Sequence, residues 1–351
     1  MSSHSNPSGM GRKLTMVVAG LAVLITAMLC AFALPSLHSG PHHVPVGVTG
    51  SPQAVEALRQ DVDGPEWDVR PYETAGAVEA AVKEGDVSGG LAVTAQGVDV
   101  YTATAGGPSA TSALTALGNG VAAQNKTRAT VHDLVPFTED DPRGAGLTAA
   151  LMPMIFGGIF PAVILGSVFP GHRGLRIRLT GAVLFSVVAG AAIAAVLQFG
   201  THSVDGDYGL TALGVILGMT ALSTTLLGLQ ALLGITGFAL GSALVMLLGN
   251  PLSGLATGPH WLPEGWATIG QLLPPGASGS LLRANAFFDG AGANFPALVL
   301  TVWAVLGCAC VLVADRRGRH PRGARSRAVT TSYSGTAAAA RSEVTSGLTP
   351  K

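Results

Sequence analysis

Few residues in this chain have the type and spacing to do chemistry. Three histidines, His38, His42 and His43, cluster in SLHSGPHH. Imidazoles this close could bind a transition metal, but the segment is rich in proline and glycine, has no cysteine and imposes no fixed geometry. It reads better as a solvated linker. The pairs Asp61/Asp63 and Asp140/Asp141 could hold calcium. The EF-hand loop pattern is absent, so solvated acidic surface fits them better. Ser109 and Ser112 have no His or Asp arranged around them in any local hydrolase motif. Cys308 and Cys310 lie in one apolar run, where a helix would point them about 200° apart and make them a poor chelating pair. Cys30 is also in an apolar run, so no disulfide framework exists. No G-x-x-x-x-G-K-[ST] occurs, nor a Gly-rich phosphate loop between a strand and a helix. The chain is expected not to be an enzyme, with no catalytic residue, metal or cofactor of its own.

The residues that remain are structural in kind, and composition says what they must be built into. Of the 351 residues, 48% are hydrophobic and only 11% charged, about half the usual charged share. A net charge of zero argues against a nucleic-acid partner. A hydrocarbon core needs about 20 apolar helical residues. Six segments meet or approach that: 14–34, 148–169, 179–199, 208–229, 231–249 and 294–314. None contains Asp, Glu, Lys or Arg. Pro153 and Pro161 interrupt the second and predict a kink there. The fourth and fifth are separated only by Gln230, which predicts a tight hairpin around Gly228–Gly234. The first follows Arg12-Lys13 and contains Ala31-Phe32-Ala33, which resembles a signal cleavage site. Its length favours an uncleaved anchor.

Arginine and lysine set the orientation. Arg12 and Lys13 precede the first segment, Arg173, Arg176 and Arg178 fill the turn after the second, and an arginine run follows the last. This alternation predicts a six-helix polytopic protein of a bacterial plasma membrane, embedded in the lipid bilayer with both termini cytoplasmic. Residues 1–13 form the cytoplasmic amino terminus and 14–34 the first span. Residues 35–147 form an extracytoplasmic domain. The remaining spans lie within 148–314, and 315–351 is a basic, disordered cytoplasmic tail. The zero net charge is then a basic inside offset by an acidic outside.

Within 35–147, strands are predicted at 44–50, 67–72, 87–94, 98–104 and 129–137, with helices at 53–60, 74–84 and 109–125. Alternation of this kind indicates an α/β layer structure. In the spans, Gly214-xxx-Gly218 and Gly237-xxx-Gly241 are close-packing signals that suit tight helix packing or dimerisation. Residues 250–293 are too broken to span and too apolar for a free loop. Two short outer re-entrant helices are predicted there, 263–273 and 278–288, with Pro274-Pro275-Gly276 as the bend, Ser278 as a cap and Arg283 on a wet face. Trp261 and Trp266 suit the headgroup level.

Three segments carry a resemblance: PHHVPVGVTGSPQAVEALR, LTAALMPMIFGGIFPAVIL, and NPLSGLATGPHWLPEGWATIGQLLPPGASGSLLRANAFFDGAG. With one span, a large outer domain and five further spans, the chain resembles the ABC-2 type permeases of actinobacteria, in the branch related to the YhgE/Pip proteins. The resemblance implies a permease subunit that exports an unspecified substrate as a homo- or heterodimer. It also implies ATP hydrolysis by a separate ATPase subunit. In that family the segment between the second and third spans contacts the ATPase, which here is PGHRGLRIR with Arg173, Arg176 and Arg178. Positive-inside anchoring is the competing reading of the same arginines. The turn is short for a coupling helix, and the amino terminus lacks an amphipathic elbow helix. The alternative function is a non-transporting envelope protein whose outer domain binds a partner protein or a phage.

Overall fold

The structure is a computed structural model, and it describes residues 7–37, 40–61, 64–171, 174–249, 251–254, 257–263 and 265–319. It contains one α/β domain and a bundle of apolar helices.

The domain is built from β1 (Val44–Thr49), α2 (Pro52–Asp61), β2 (Trp67–Pro71), α3 (Ala75–Lys83), β3 (Gly89–Val93), β4 (Val98–Thr102), α4 (Pro108–Gln124) and β5 (Ala129–Asp133). All five strands predicted from the sequence occur, shortened at their ends, and pair in the order β2-β1-β3-β4-β5. The β1–β2, β1–β3 and β4–β5 pairs are parallel, whereas β3 and β4 form an antiparallel hairpin. Parallel neighbours need a crossover, which explains why α2, α3 and α4 are where they are. Alternation sends Val44, Val46 and Val48 to one face, with Leu58 of α2 and Leu114 and Val121 of α4. The opposite face packs on Val78, Ala81 and Val82 of α3. Thr74 caps α3 by accepting from the Ala77 N–H at 3.1 Å.

The bundle consists of α1 (Pro7–Leu37), α5 (Ala145–Val168), α6 (Leu175–Ala195), α7 (Tyr208–Leu233), α8 (Ile235–Leu244), α9 (Trp266–Leu272), α10 (Pro274–Phe287) and α11 (Asn294–Arg319). Single π-helical turns extend α6 through Val196–Gly200 and α8 through Val245–Gly249. Among the described residues, four helices are long and apolar enough to cross a membrane: Ala145–Val168, Leu175–Gly200, Tyr208–Leu233 and Asn294–Arg317. They mark the chain as membrane-embedded. Two shorter apolar stretches, Leu14–Cys30 and Ile235–Leu247, accompany them.

Two helices run past the apolar segments that predict them. The first begins at Pro7, so 7–13 of the expected cytoplasmic amino terminus are helical. Proline is tolerated in the first turn, and nothing in SGMGRK stops a helix. At the other end, α11 continues to Arg319, so 315–319 are helical rather than disordered tail. Arginines near a helix carboxyl end complement its dipole. Residues 320–351 lie outside the described residues.

The predicted reversal between the fourth and fifth segments falls at Gly234, whose φ of 69° and ψ of −152° are open essentially to glycine alone. Past it, α8 runs back along α7, and a Cβ on Gly241 would meet Leu229 Cδ1 at 2.7 Å and Leu226 Cδ2 at 2.9 Å. The centre of the bundle is α7, which packs against α5, α6, α8, α10 and α11. Asp141 caps α5 by accepting from the Ala145 and Gly146 N–H groups at 2.8 and 2.7 Å. That is the role of one carboxylate considered above for calcium. No group of three or more metal-ligating side chains occurs among the described residues. His42 Nδ1 lies 2.8 Å from the Gly40 carbonyl, and His38 and Asp63 lie outside the described residues.

Candidate functional site at the junction of domain and bundle

The prediction for residues 263–288 is corrected most. The break between the two short helices is at Leu273, in extended conformation, and Pro274-Pro275-Gly276 is the first turn of α10 rather than a bend. Proline is compatible with the opening of a helix, and its φ is already set for it. A second consequence follows from burial. The first N–H groups of a helix have no intrahelical partner, and an unmet donor in apolar surroundings costs about 1–3 kcal/mol. Pro274 and Pro275 have no N–H to leave unmet. The Leu273 N–H bonds to the Gly270 carbonyl at 3.2 Å, and the Leu273 carbonyl accepts from Ala277 at 3.0 Å. A helix can therefore begin inside the bundle: Pro274, Pro275 and Ser278 meet Leu151, Met154, Ile155, Gly218 and Leu222 around a residual void of only about 10 Å³.

Twelve of the fourteen residues of α10 are buried. Gly214 and Gly218 of α7 make room for it. A Cβ on Gly214 would meet Asn285 Nδ2 at 3.0 Å and Leu281 Cγ at 3.3 Å, and one on Gly218 would collide with Ser278. The first glycine motif thus serves packing within the chain. Gly237 and Gly241 likewise hold α8 against α7. Ser278 lies inside α10 and does not cap it. Asn285 Nδ2 donates to the Leu210 carbonyl at 2.7 Å, and Trp303 Nε1 of α11 donates to the Leu272 carbonyl at 2.8 Å, fixing both ends of the insertion.

The upper end of α10 meets the α/β domain. Phe287 packs edge-on against Phe137 with ring centroids 5.6 Å apart. Phe288 reaches the domain between Gly85 and Gly106. Residues 40–42 run beside 260–261, where Gly40 and His42 donate to the Trp261 and His260 carbonyls at 3.3 and 2.9 Å. Trp261 itself packs against the core on the α2/α4 face of the sheet.

These contacts border an open cavity of about 260 Å³ between domain and bundle. Its walls come from the turn after α3, the start of α4, residues 257–261 and the flank of α10. Arg283 lines it and is only 7% exposed, not on a wet face as its charge suggested. Ser280, one turn away, donates to Gln271 Oε1 at 2.6 Å. Desolvation lowers the pKa of His260, although the residue is exposed at the surface. A wider groove of about 930 Å³ shares Phe288 with this cavity and carries Glu139, Asp140, Asp205 and Asp289 with Lys83 and His202.

The opposite end of the bundle holds the arginines. Arg178 is buried and donates through Nε to the Phe169 carbonyl at 2.7 Å, closing the end of α5. Arg176 donates to Asp315 of α11 at 2.9 Å; its own side chain is 61% exposed, while that of Asp315 is 2% exposed. Arg173 lies outside the described residues. Asp315 was not foreseen as a partner because it lies just past the apolar run, 139 residues from Arg176. Cys308 and Cys310 are free thiols on α11, and Cys310 packs at Gly228 of α7. No family model, curated protein or solved structure matches this chain.

Proposed function

We propose that the chain is the membrane subunit of an ABC-2 type exporter, which moves a substrate across a bacterial plasma membrane with a separate ATPase. In this reading α1 and α8 also cross the membrane, making six spans. Both termini and the arginine end are cytoplasmic, and the α/β domain is extracytoplasmic. The observation that carries the reading is α10, a discontinuous helix that starts within the bundle and ends under the domain. Non-helical backbone at membrane depth is tolerated only where protein buries it or it lines a path, and transporters build their sites from such broken helices. The resemblance of three long segments to the permease family supplies the ATPase. Of the three arginines in the candidate contact turn, Arg178 is used internally, so contact would fall to Arg173 and the exposed flank of Arg176.

Co-purification of the full chain with candidate ATPases, followed by ATP turnover with and without it, tests this. An ATPase that binds and whose turnover the chain changes supports the exporter. If no ATPase associates, and ATP-site mutants of every candidate leave the cellular phenotype intact, the exporter reading fails. One observation favours the second reading, an envelope protein that binds a partner. Strand β5 ends the sheet with most of its residues exposed, including Val131 at 45%. Such an edge can accept an added strand. Deleting residues 44–137 while insertion persists should then abolish function, and unchanged activity would count against it.

A further inference from the structure

We propose that the cavity between the α/β domain and α10 binds one uncharged sugar ring, a pyranose with its hydroxyls. The inference stands whether or not the chain transports.

The walls narrow the ligand by elimination. Among the described residues that line the cavity there is no carboxylate, so a cation finds no counter-charge. Arg283 also lines it, but is already engaged with a partner of its own. Burial lowers the pKa of His260, so its imidazole is neutral at pH 7 and offers a donor and an acceptor. The groups left for a ligand are uncharged. A purely apolar ligand fails as well. Ser88, Thr257 and Ser280 bring hydroxyls to the wall, and a hydroxyl dried without a partner opposes binding. Ser280 donates to Gln271 Oε1 at 2.6 Å, which leaves its own oxygen to accept.

What remains is a ligand with hydroxyls at its rim and apolar faces. Trp261 and Phe288 bring aromatic rings to the cavity, and Val87 and Ala284 add aliphatic surface. The C–H groups on the face of a pyranose carry partial positive charge and pack on the negative face of an aromatic ring. Size agrees: about 260 Å³ is the bulk volume of roughly eight or nine waters, room for a single ring. A free monosaccharide or the end unit of a glycan chain presents this chemistry. The bound ring would touch the domain at Ser88 and the bundle at Ser280, and hold one on the other.

The test uses the full chain in lauryldimethylamine oxide, a detergent without sugar. One arm titrates glucose, galactose, mannose and N-acetylglucosamine, read by saturation-transfer NMR of the sugar protons. The other uses their methyl glycosides, which stand for the end of a chain. Saturable binding of at least one sugar is expected, with the strongest transfer to its ring C–H protons. Binding lost in the glycoside names the free sugar, and binding kept names the chain end. Sorbitol, which has the hydroxyls but no ring, should bind at least tenfold more weakly. Trp261→Ala should also weaken binding at least tenfold. Because Trp261 packs against the domain core as well, Ala291→Leu is the second variant. Ala291 is half-buried in the turn after α10 and lines the cavity, so a leucine there fills it from the rim. This variant should melt like the parent chain and bind no sugar. No saturable binding in both arms, sorbitol as tight as the sugars, glucuronate tighter than any of them, or unchanged affinity in Trp261→Ala or Ala291→Leu would each overturn the proposal.

Discussion

The two halves of this molecule are held together by opposite kinds of residue. The α/β domain is filled by large aliphatic side chains, with Val44, Val46, Val48, Leu91, Val100 and Leu114 in one core. The bundle also buries leucines and methionines, but its closest approaches are made by glycines. A Cβ on Gly228 would meet the Gly307 carbonyl oxygen at 2.9 Å, and one on Gly307 would run into the Thr224–Thr225 backbone. Thr225 adds a bond of 3.3 Å to the Trp303 carbonyl across the same crossing. In water, removing apolar area from solvent drives folding. In lipid that drive is absent between helices, and close backbone contact with interhelical hydrogen bonds replaces it. The domain should therefore be vulnerable to loss of volume and the bundle to gain of it.

Leu91→Ala is the largest effect expected. Leu91 is fully buried between the central strands and α4, and such a truncation costs about 2–5 kcal/mol. Urea unfolding followed by near-UV signals of the domain would measure it, and a cost below about 1 kcal/mol would contradict the tight core. The mirror experiment is Gly307→Leu, expected to cost about 3 kcal/mol by forcing α7 and α11 apart. Thermal melting in detergent should show it, whereas an unchanged melt would mean that this crossing is not close-packed.

Pro275→Ala asks whether burial of a helix start explains the prolines. It restores a donor in the buried first turn of α10, which has no intrahelical acceptor for it, and should destabilise by about 1–2 kcal/mol despite alanine's better helix propensity. A stabilised protein would refute that account. The smallest effect is at His260. Its folded pKa is lowered, so its contribution is present above the unfolded value and is lost as pH falls below about 6.5. Melting temperature should drop slightly from pH 7.5 to 5.5, and His260→Gln should remove that part of the drop.

Much of the domain was legible. Alternation in VPVGVT and the turn between β3 and β4 placed strands within a few residues, because period and turn chemistry are local. Apolar runs likewise located α5, α6, α7 and α11. The candidate site was much less legible. Arg283 looked solvated because local sequence records only its charge, while its burial depends on where α10 sits among residues distant in the chain. The prolines at 274–275 looked like a bend because a proline pair ends one helix and begins the next equally well.

The sequence by itself determined that the chain is membrane-embedded, that it carries an α/β domain between apolar segments, and where its arginines gather. Those properties follow from residue-by-residue hydropathy, period and charge. Only the tertiary structure decided that α10 starts inside the bundle, that Gly214 and Gly218 admit it, and that Arg283 and the start of α4 face one cavity. These facts join segments that lie far apart in the chain, from Gly218 against Ser278 to Ala110 and Arg283 around one cavity. Their energies come from shape and burial, which no local pattern encodes.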